Sequence, residues 1–208
     1  MTVEATVLVV DDDDALRDSL CALLESANLR AIGYSSAGAL LSANTVGTAH
    51  CLVADIRMPG MTGLALQQEL TRRGQEIPVI LGTGHGDITM AVNAMKAGAF
   101  DFLEKPCDDA TLIASVRRAL AEGRRASQRA AESDAAIELL ATLTDRERQV
   151  LEHLIAAKSN KLTAQELGIS HRTVEIHRAN LMEKLRARSL SDLVRIALAA
   201  GVRIVSTR

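Results

Sequence analysis

Along the first half of the chain, short apolar runs alternate with longer stretches in which apolar residues return every three or four positions. Thr6 to Val10, Arg30 to Tyr34, Cys51 to Ala54, Pro78 to Gly82 and Ala99 to Leu103 are the short runs, and they predict strands. Stretches such as Ala15 to Ala27 and Gly63 to Arg73 have helical spacing and predict amphipathic helices. Five such units predict an α/β fold, a five-stranded doubly wound parallel sheet with helices on both faces.

The pattern changes in the second half. Thr144-Asp-Arg-Glu147 sets a hydroxyl and a carboxylate three residues apart ahead of Val150, Leu151, Leu154 and Ile155, a capping box that opens an amphipathic helix. A second helix is predicted from Leu162 to Leu167, stopped by Gly168. A third runs from the Ser170 cap through Leu185, and Ser189 with Asp192 opens a fourth through Ala199. The tight turn Leu167-Gly-Ile-Ser170 reads as a helix-turn-helix, so a small all-α domain is predicted here. The segment before it is polar and Ala-rich and predicts a helical linker, with Gly123 as the point of breakage. The expected division is 1–122, 123–139 and 140–208.

A length of 208 residues supports two domains, since single cores tend to stop at roughly 100 to 150 residues. Apolar residues at 48% and charged residues at 24% argue against disordered and fibrous classes. With no Trp, one Tyr and two Phe, both cores must be aliphatic. Cys21, Cys51 and Cys107 are odd in number and lack CxxC spacing, which disfavours a disulfide scaffold or zinc site and suits a reducing compartment. Met1 to Glu4 lacks a basic export signal, and no apolar run nears the roughly 18 residues of a membrane span, so a cytoplasmic protein without membrane attachment is expected.

Charge divides the chain more sharply than composition does. Residues 1 to 123 hold 9 Lys/Arg against 16 Asp/Glu, and residues 124 to 208 hold 15 against 10. The acidic half suits a cation or a basic partner, and the basic half suits a polyanion such as nucleic acid.

In open parallel sheets, ligands sit at the carboxyl ends of the strands. The residues at those ends are Asp11-Asp12-Asp13-Asp14 after the first predicted strand, Asp55 after the third, Thr83 after the fourth, and Lys105-Pro106 after the fifth. Converging carboxylates repel one another unless a hard cation lies among them, and Mg²⁺ with oxygen ligands meets that need. A lysine and a hydroxyl at the same rim supply donors for phosphoryl oxygens, and Asp55 is placed to act as the nucleophile, giving an aspartyl phosphate. Singly, each residue has a plainer reading: Asp13 and Asp14 serve equally well as caps of a helix N-terminus, Lys105 as a solvated lysine, and Thr83 as a strand-end hydrogen bond. Their joint placement at four strand ends favours the site.

The segments Val-Leu-Val-Val-Asp-Asp-Asp-Asp, Val53-Ala-Asp55-Ile-Arg-Met-Pro-Gly-Met-Thr-Gly63, Thr83-Gly-His-Gly-Asp87 and Met95-Lys-Ala-Gly-Ala-Phe-Asp-Phe-Leu-Glu-Lys-Pro106 resemble the response-regulator receiver of the FixJ/NarL type, over nearly all of residues 5 to 122. The resemblance implies that Asp55 is phosphorylated from a sensor histidine kinase, and that Asp11, Asp12 and Asp55 hold Mg²⁺ with the backbone carbonyl of Arg57. It further implies that Thr83 and Lys105 grip the phosphoryl oxygens, that Thr83 and Phe102 are the switch positions, and that Lys105-Pro106 is a cis peptide. The face around Ile88 to Lys96 and the last strand would then pair with a second copy. Gly82 departs from the pattern, standing where a bulky aliphatic residue is usual.

In the third predicted helix of the second half, Val174, Leu181 and Leu185 form an inward stripe, with His177 at the core edge. Arg172, Glu175, Arg178, Ala179 and Met182 are expected to face outward. Lys161, Arg172, Lys184, Arg186 and Arg188 can neutralise phosphates; the plainer reading is a solvated basic face on a helical bundle. Leu143-Thr-Asp-Arg-Glu-Arg-Gln-Val-Leu151, Asn160-Lys161 and Ile169 through Leu185 resemble the LuxR-type DNA-binding domain over about residues 140 to 200. That resemblance implies that Glu175, Ile176, Arg178 and Ala179 face the bases, so that Arg178 could read guanine and Glu175 cytosine; with Lys161, Arg172, Thr173 and Lys184 they make up the expected DNA-binding set. Ala157 stands where the family usually has a helix-ending Gly, and Thr163 where a core Ile is usual.

The expected protein is a two-component response regulator: phosphorylation promotes homodimerisation and promoter binding, with RNA polymerase as a further contact. It is a switch and not a metabolic enzyme. Two rivals stand beside it. One is a Mg²⁺-dependent phosphohydrolase using Asp55, against which Arg57 occupies the place of a second acid. The other is a receiver acting by protein contact, on RNA polymerase or on itself, in place of DNA.

Overall fold

The computed structural model describes residues 5–43, 45–84 and 88–202. Met1 to Glu4, Asn44, the His85-Gly-Asp87 part of the fourth motif and positions 203–208 lie outside the described residues. The chain divides into two compact units, Met1–Ala126 and Ser127–Arg208.

The first unit alternates strand and helix in the order β1 (Thr6–Val10), α1 (Asp14–Ser26), β2 (Arg30–Tyr34), α2 (Ala37–Ser42), β3 (Cys51–Asp55), α3 (Gly63–Arg72), β4 (Val79–Thr83), α4 (Ile88–Lys96), β5 (Asp101–Glu104) and the start of α5 (Asp109–Ala141). The sheet order is β2-β1-β3-β4-β5, and every pairing is parallel. Successive strand residues point to opposite faces, and both faces are covered. Leu8, Val10, Leu52, Ala54 and Leu81 pack against Leu40 of α2, Leu66 and Leu70 of α3 and Ala94 of α4. Val7, Val9, Val53 and Ile80 pack against Leu24 of α1 and Leu112 and Val116 of α5. Two-sided burial is why the strands read as unbroken apolar runs rather than as alternation. A fully buried Leu such as Leu8 contributes about 2 kcal/mol.

Three strands differ from their predicted bounds, β3 by running one residue further, to Asp55. β4 begins at Val79 because Pro78 has no N–H; its carbonyl accepts from the Leu52 amide at 2.9 Å, but it cannot donate to the ladder. β5 begins at Asp101 rather than Ala99. Asp55 and Thr83 are therefore the last residues of their strands. The short α2 was not legible as a period; Ser36 caps it by accepting from the Ala39 amide. The predicted break at Gly123 does not occur, and α5 is continuous through it. One glycine costs about 1 kcal/mol in a helix, which the flanking Ala, Leu, Arg and Glu positions outweigh.

The second unit contains the end of α5, then α6 (Asp145–Ile155), α7 (Asn160–Leu167), α8 (His171–Lys184) and α9 (Leu190–Ala199). Its core joins Val150, Leu151 and Leu154 of α6, Val174 and Leu181 of α8, Leu185, and Leu193 and Ala197 of α9. Both capping boxes, Thr144 with Glu147 and Ser189 with Asp192, are formed. α7 ends at Gly168, whose φ of 63° is left-handed, and Ser170 then caps α8. Ala157 ends the turn after α6 with a φ of 57°, the conformation a glycine would take freely.

Candidate functional site

Strand order reverses between β1 and β3, and in doubly wound sheets the crevice at that reversal is where ligands bind. Asp11 follows β1 and Asp55 ends β3, so the sheet itself brings two carboxylates to the crevice. Lys105, after β5, reaches between them: its Nζ lies 2.7 Å from Asp11 Oδ2 and 2.5 Å from Asp55 Oδ1. Asp11 is 3% exposed, and the Lys105 side chain is largely covered. Burial would lower the pKa of Lys105, but its hydrogen bonds to Asp11 and Asp55 outweigh this and raise it, so the amine is cationic.

The four consecutive aspartates take separate roles. Asp11 enters the site. Asp12 is exposed. Asp13 caps α1, its Oδ1 accepting from the Leu16 amide at 3.1 Å, and Asp14 pairs with Arg17 in the first turn at 2.5 Å. For these last two, the helix-start reading is the one the geometry supports.

Asp55 is oriented by its second oxygen, which accepts from the Arg57 amide at 2.7 Å. Its backbone is braced by Gly63, a residue whose role sequence reasoning missed. The Gly63 amide donates to Ile56 O at 3.1 Å, and a Cβ on Gly63 would stand 2.3 Å from Asp55 O, so no other residue fits without moving the strand that ends in Asp55. The signal was present as a glycine at a helix start eight residues beyond the carboxylate, but only the fold shows what it touches.

Thr83 is fully buried at the end of β4, and its carbonyl accepts from the Lys105 amide at 2.7 Å. Phe102 on β5 is partly buried against the core face that α4 covers. The Lys105-Pro106 peptide is cis. Gly82 has a local reason: a Cβ there would come within 2.9 Å of Lys105 Cε, so the lysine stem occupies the room a larger side chain would take.

Among the described residues no group of three His, Cys, Asp or Glu side chains closes into a metal-binding set. The donor chemistry nonetheless fits a hard divalent cation. Two carboxylates meet on one ammonium, a point charge holding them as a divalent ion would, and Asp12, the next residue along from Asp11, is exposed.

In the second unit, α8 presents Arg172, Glu175, Ile176, Arg178 and Ala179 to solvent, with Ile176 53% exposed, and Lys161 at the start of α7 is exposed as well. Arg178 is steered by a long 3.4 Å hydrogen bond to Asn160 Oδ1. Glu175 lies 3.6 Å from His171 Nδ1. Thr173 is half-buried, its hydroxyl 2.8 Å from that of Ser170. Arg186 and Arg188 are exposed, and His177 is half-buried. One expectation is corrected. Met182 packs against the core, since the apolar stripe of α8 is wider than three residues suggested. The Lys184 ammonium turns inward to Glu147 at 2.6 Å and Thr142 O at 3.3 Å, because a buried carboxylate claims it.

Compared with known proteins, residues 7–117 match the family described as "Response regulator receiver domain", and residues 141–197 match "Bacterial regulatory proteins, luxR family". The chain is 53% identical over 199 residues to the transcriptional regulatory protein FixJ of Azorhizobium caulinodans, spanning 94% of this chain and 93% of that one. Among solved structures, the response regulator StyR is similar with a TM-score of 0.80 at 42% identity, over 94% of this chain and 99% of that one. Full-length FixJ from B. japonicum is similar with a TM-score of 0.59 at 43% identity, over 97% and 100%.

Proposed function

Since the chain belongs to the FixJ-type two-component response regulators, in which a receiver domain precedes a LuxR-family DNA-binding domain, we propose that Asp55 is its phosphoacceptor and that phosphorylation controls promoter binding through α8. The protein is a transcriptional regulator and not a metabolic enzyme, which sets the phosphohydrolase reading aside. A receiver implies a histidine kinase as phosphodonor, and the LuxR-family domain implies DNA. No helix among the described residues is long and apolar enough to cross a membrane. We place its action in the cytoplasm, where kinase and promoter are accessible.

One observation carries the reading: a single ammonium spans Asp11 and Asp55 at the sheet's reversal point. A carboxylate oxygen of Asp55 attacks the phosphorus of the kinase's phosphohistidine, the P–N bond breaks, and its electron pair leaves with the imidazole nitrogen. Lys105 then turns from Asp55 to a phosphoryl oxygen, keeping its second bond to Asp11, and the Thr83 hydroxyl supplies another donor. A bound Mg²⁺, held by Asp11, Asp12, Asp55 and the Arg57 backbone carbonyl, would neutralise charge on the phosphoryl oxygens. Movement of Thr83 toward the phosphoryl group draws on β4, and Phe102 and α4 respond as a two-state element. Val92 and Met95 on α4 are 44% and 48% exposed, apolar surface suited to pairing with a second copy.

Two paired copies present two α8 helices to adjacent half-sites. Lys161, Arg172, Arg186 and Arg188 meet phosphates, while Glu175, Ile176, Arg178 and Ala179 face base edges, Ile176 supplying an apolar surface suited to a thymine methyl. The test is selection from random duplex DNA, with and without a small-molecule phosphodonor plus Mg²⁺, for wild type and Asp55→Asn. Donor-tightened selective binding in wild type alone is the expected result. Binding indifferent to Asp55 would overturn it in favour of action by protein contact, for example with RNA polymerase.

A further inference from the structure

We propose that Arg17 is a positioning residue of the phosphoacceptor site, holding the Asp11 main chain so that its carboxylate faces Asp55 and a bound divalent cation. The proposal rests on the phosphoacceptor reading above.

Asp11 is fixed at every polar atom it has. Its amide donates to Tyr34 O at 3.2 Å, and its carbonyl accepts from Arg17 Nη1 at 2.9 Å. Its Oδ1 accepts from the Asp13 amide at 3.0 Å, and its Oδ2 accepts from Lys105 Nζ at 2.7 Å. Arg17 supplies the one main-chain restraint that comes from α1. Its other terminal nitrogen, Nη2, donates to Asp14 Oδ1 at 2.5 Å, so the planar fork ties the end of β1 to the first turn of α1.

Room for this arrangement comes from β2. Gly33 is the register partner of Val9, and a Cβ on it would stand 3.1 Å from both Cγ and Cδ of Arg17. A glycine inside a strand weakens that strand, and here it is the floor on which the arginine stem lies. The Arg17 side chain is 15% exposed.

Three roles for Arg17 predict different signs. A cation this close opposes Mg²⁺ by simple repulsion, so a purely electrostatic role predicts tighter Mg²⁺ binding when it is removed. A purely structural brace predicts lower stability with the Mg²⁺ affinity of the folded protein unchanged. Positioning predicts weaker Mg²⁺ binding at equal charge cost, because the carboxylate drifts from its aim.

The experiment is calorimetric titration of Mg²⁺ into the unphosphorylated full chain, for wild type, Arg17→Gln, Arg17→Lys and Gly33→Ala. Thermal unfolding of each variant confirms that it is folded. Arg17→Gln is expected to weaken Mg²⁺ binding roughly tenfold, the usual loss when a group supporting a metal ligand is removed. Arg17→Lys should recover part of this, and Gly33→Ala, which lifts the stem while leaving the guanidinium intact, should weaken binding in the same direction. Unchanged or tighter Mg²⁺ binding by folded Arg17→Gln overturns the proposal; if that variant does not fold, unchanged affinity in Gly33→Ala does so. Wild type that neither binds Mg²⁺ nor is phosphorylated at Asp55 would instead remove the phosphoacceptor reading itself.

Discussion

The Lys184 ammonium at the end of α8 lies 2.6 Å from the carboxylate of Glu147 in the first turn of α6, joining positions 37 apart in the chain. Glu147 is 3% exposed and also accepts from the Thr144 amide at 2.8 Å. One charged pair thus anchors the candidate recognition helix to the capping box that opens the unit.

Replacing Lys184 by Met leaves a buried carboxylate without its cation. The expected loss is about 2 kcal/mol, below the 3–5 typical of fully buried pairs because Lys184 is itself 36% exposed. Urea unfolding measures it. By contrast Lys161→Met should leave stability unchanged and lower the salt slope of duplex binding by about one. A salt slope that falls for Lys184→Met at unchanged stability would return Lys184 to the DNA face.

The same pair makes a pH prediction. Burial alone would raise the Glu147 carboxyl pKa, but hydrogen bonds from Lys184 and Thr144 outweigh it and hold it below its ordinary value. A depressed folded-state pKa contributes stability that is present above the unfolded value, roughly 4.3, and is lost as pH falls through the folded value. The stability difference between wild type and Lys184→Met should therefore be constant near neutrality and shrink on acidification below about pH 4. Urea titrations across that range check it; a difference growing in acid would contradict the pairing.

Ala157 adopts a φ of 57° after α6, where its amide donates to Leu154 O and the Lys158 amide to His153 O. The left-handed conformation costs a residue with a Cβ about 1–2 kcal/mol, and glycine returns part of that as unfolded-state entropy. Ala157→Gly should stabilise the second unit by about 1 kcal/mol, read as a rise in its urea midpoint.

Thr163 is fully buried in α7, and its Oγ1 has no hydrogen-bond partner among the described residues. An unsatisfied buried hydroxyl costs about 1–3 kcal/mol, and valine keeps its shape. Thr163→Val should therefore raise stability by about 1 kcal/mol in the same assay. A loss would show that the hydroxyl is solvated in solution.

Of the three thiols, Cys51 lies inside the sheet with its pKa pushed up to about 12 by burial, while Cys21 and Cys107 are half-buried. Iodoacetamide near neutral pH should label Cys107 in the native protein, label Cys21 slowly because burial and the carboxylates of Glu25 and Asp18 raise its pKa, and leave Cys51 unmodified until unfolding, as mass spectrometry of peptides would show.

Much of this protein was legible in the chain. Apolar runs such as Val7 to Val10 announce strands buried on both faces, and Thr144 with Glu147 announces a helix start, because both depend on neighbours a few residues apart. The acid, hydroxyl and lysine positions at the strand ends followed from the same local pattern, since a parallel sheet places all those ends on one edge.

What tertiary structure alone decided is which of several similar residues meets which partner. Asp11 and Asp13 are both carboxylates at one strand end, yet one meets Lys105, 94 positions away, and the other caps its own helix. Lys161 and Lys184 are both lysines of a basic half, yet only one finds a buried glutamate. Gly63 against Asp55 and Gly33 beneath Arg17 are matched by close approach of backbones and stems. Local propensity acts over one or two helical turns, whereas these choices rest on distances of a few ångströms between distant parts of the chain, which exist only after the sheet and helices have packed.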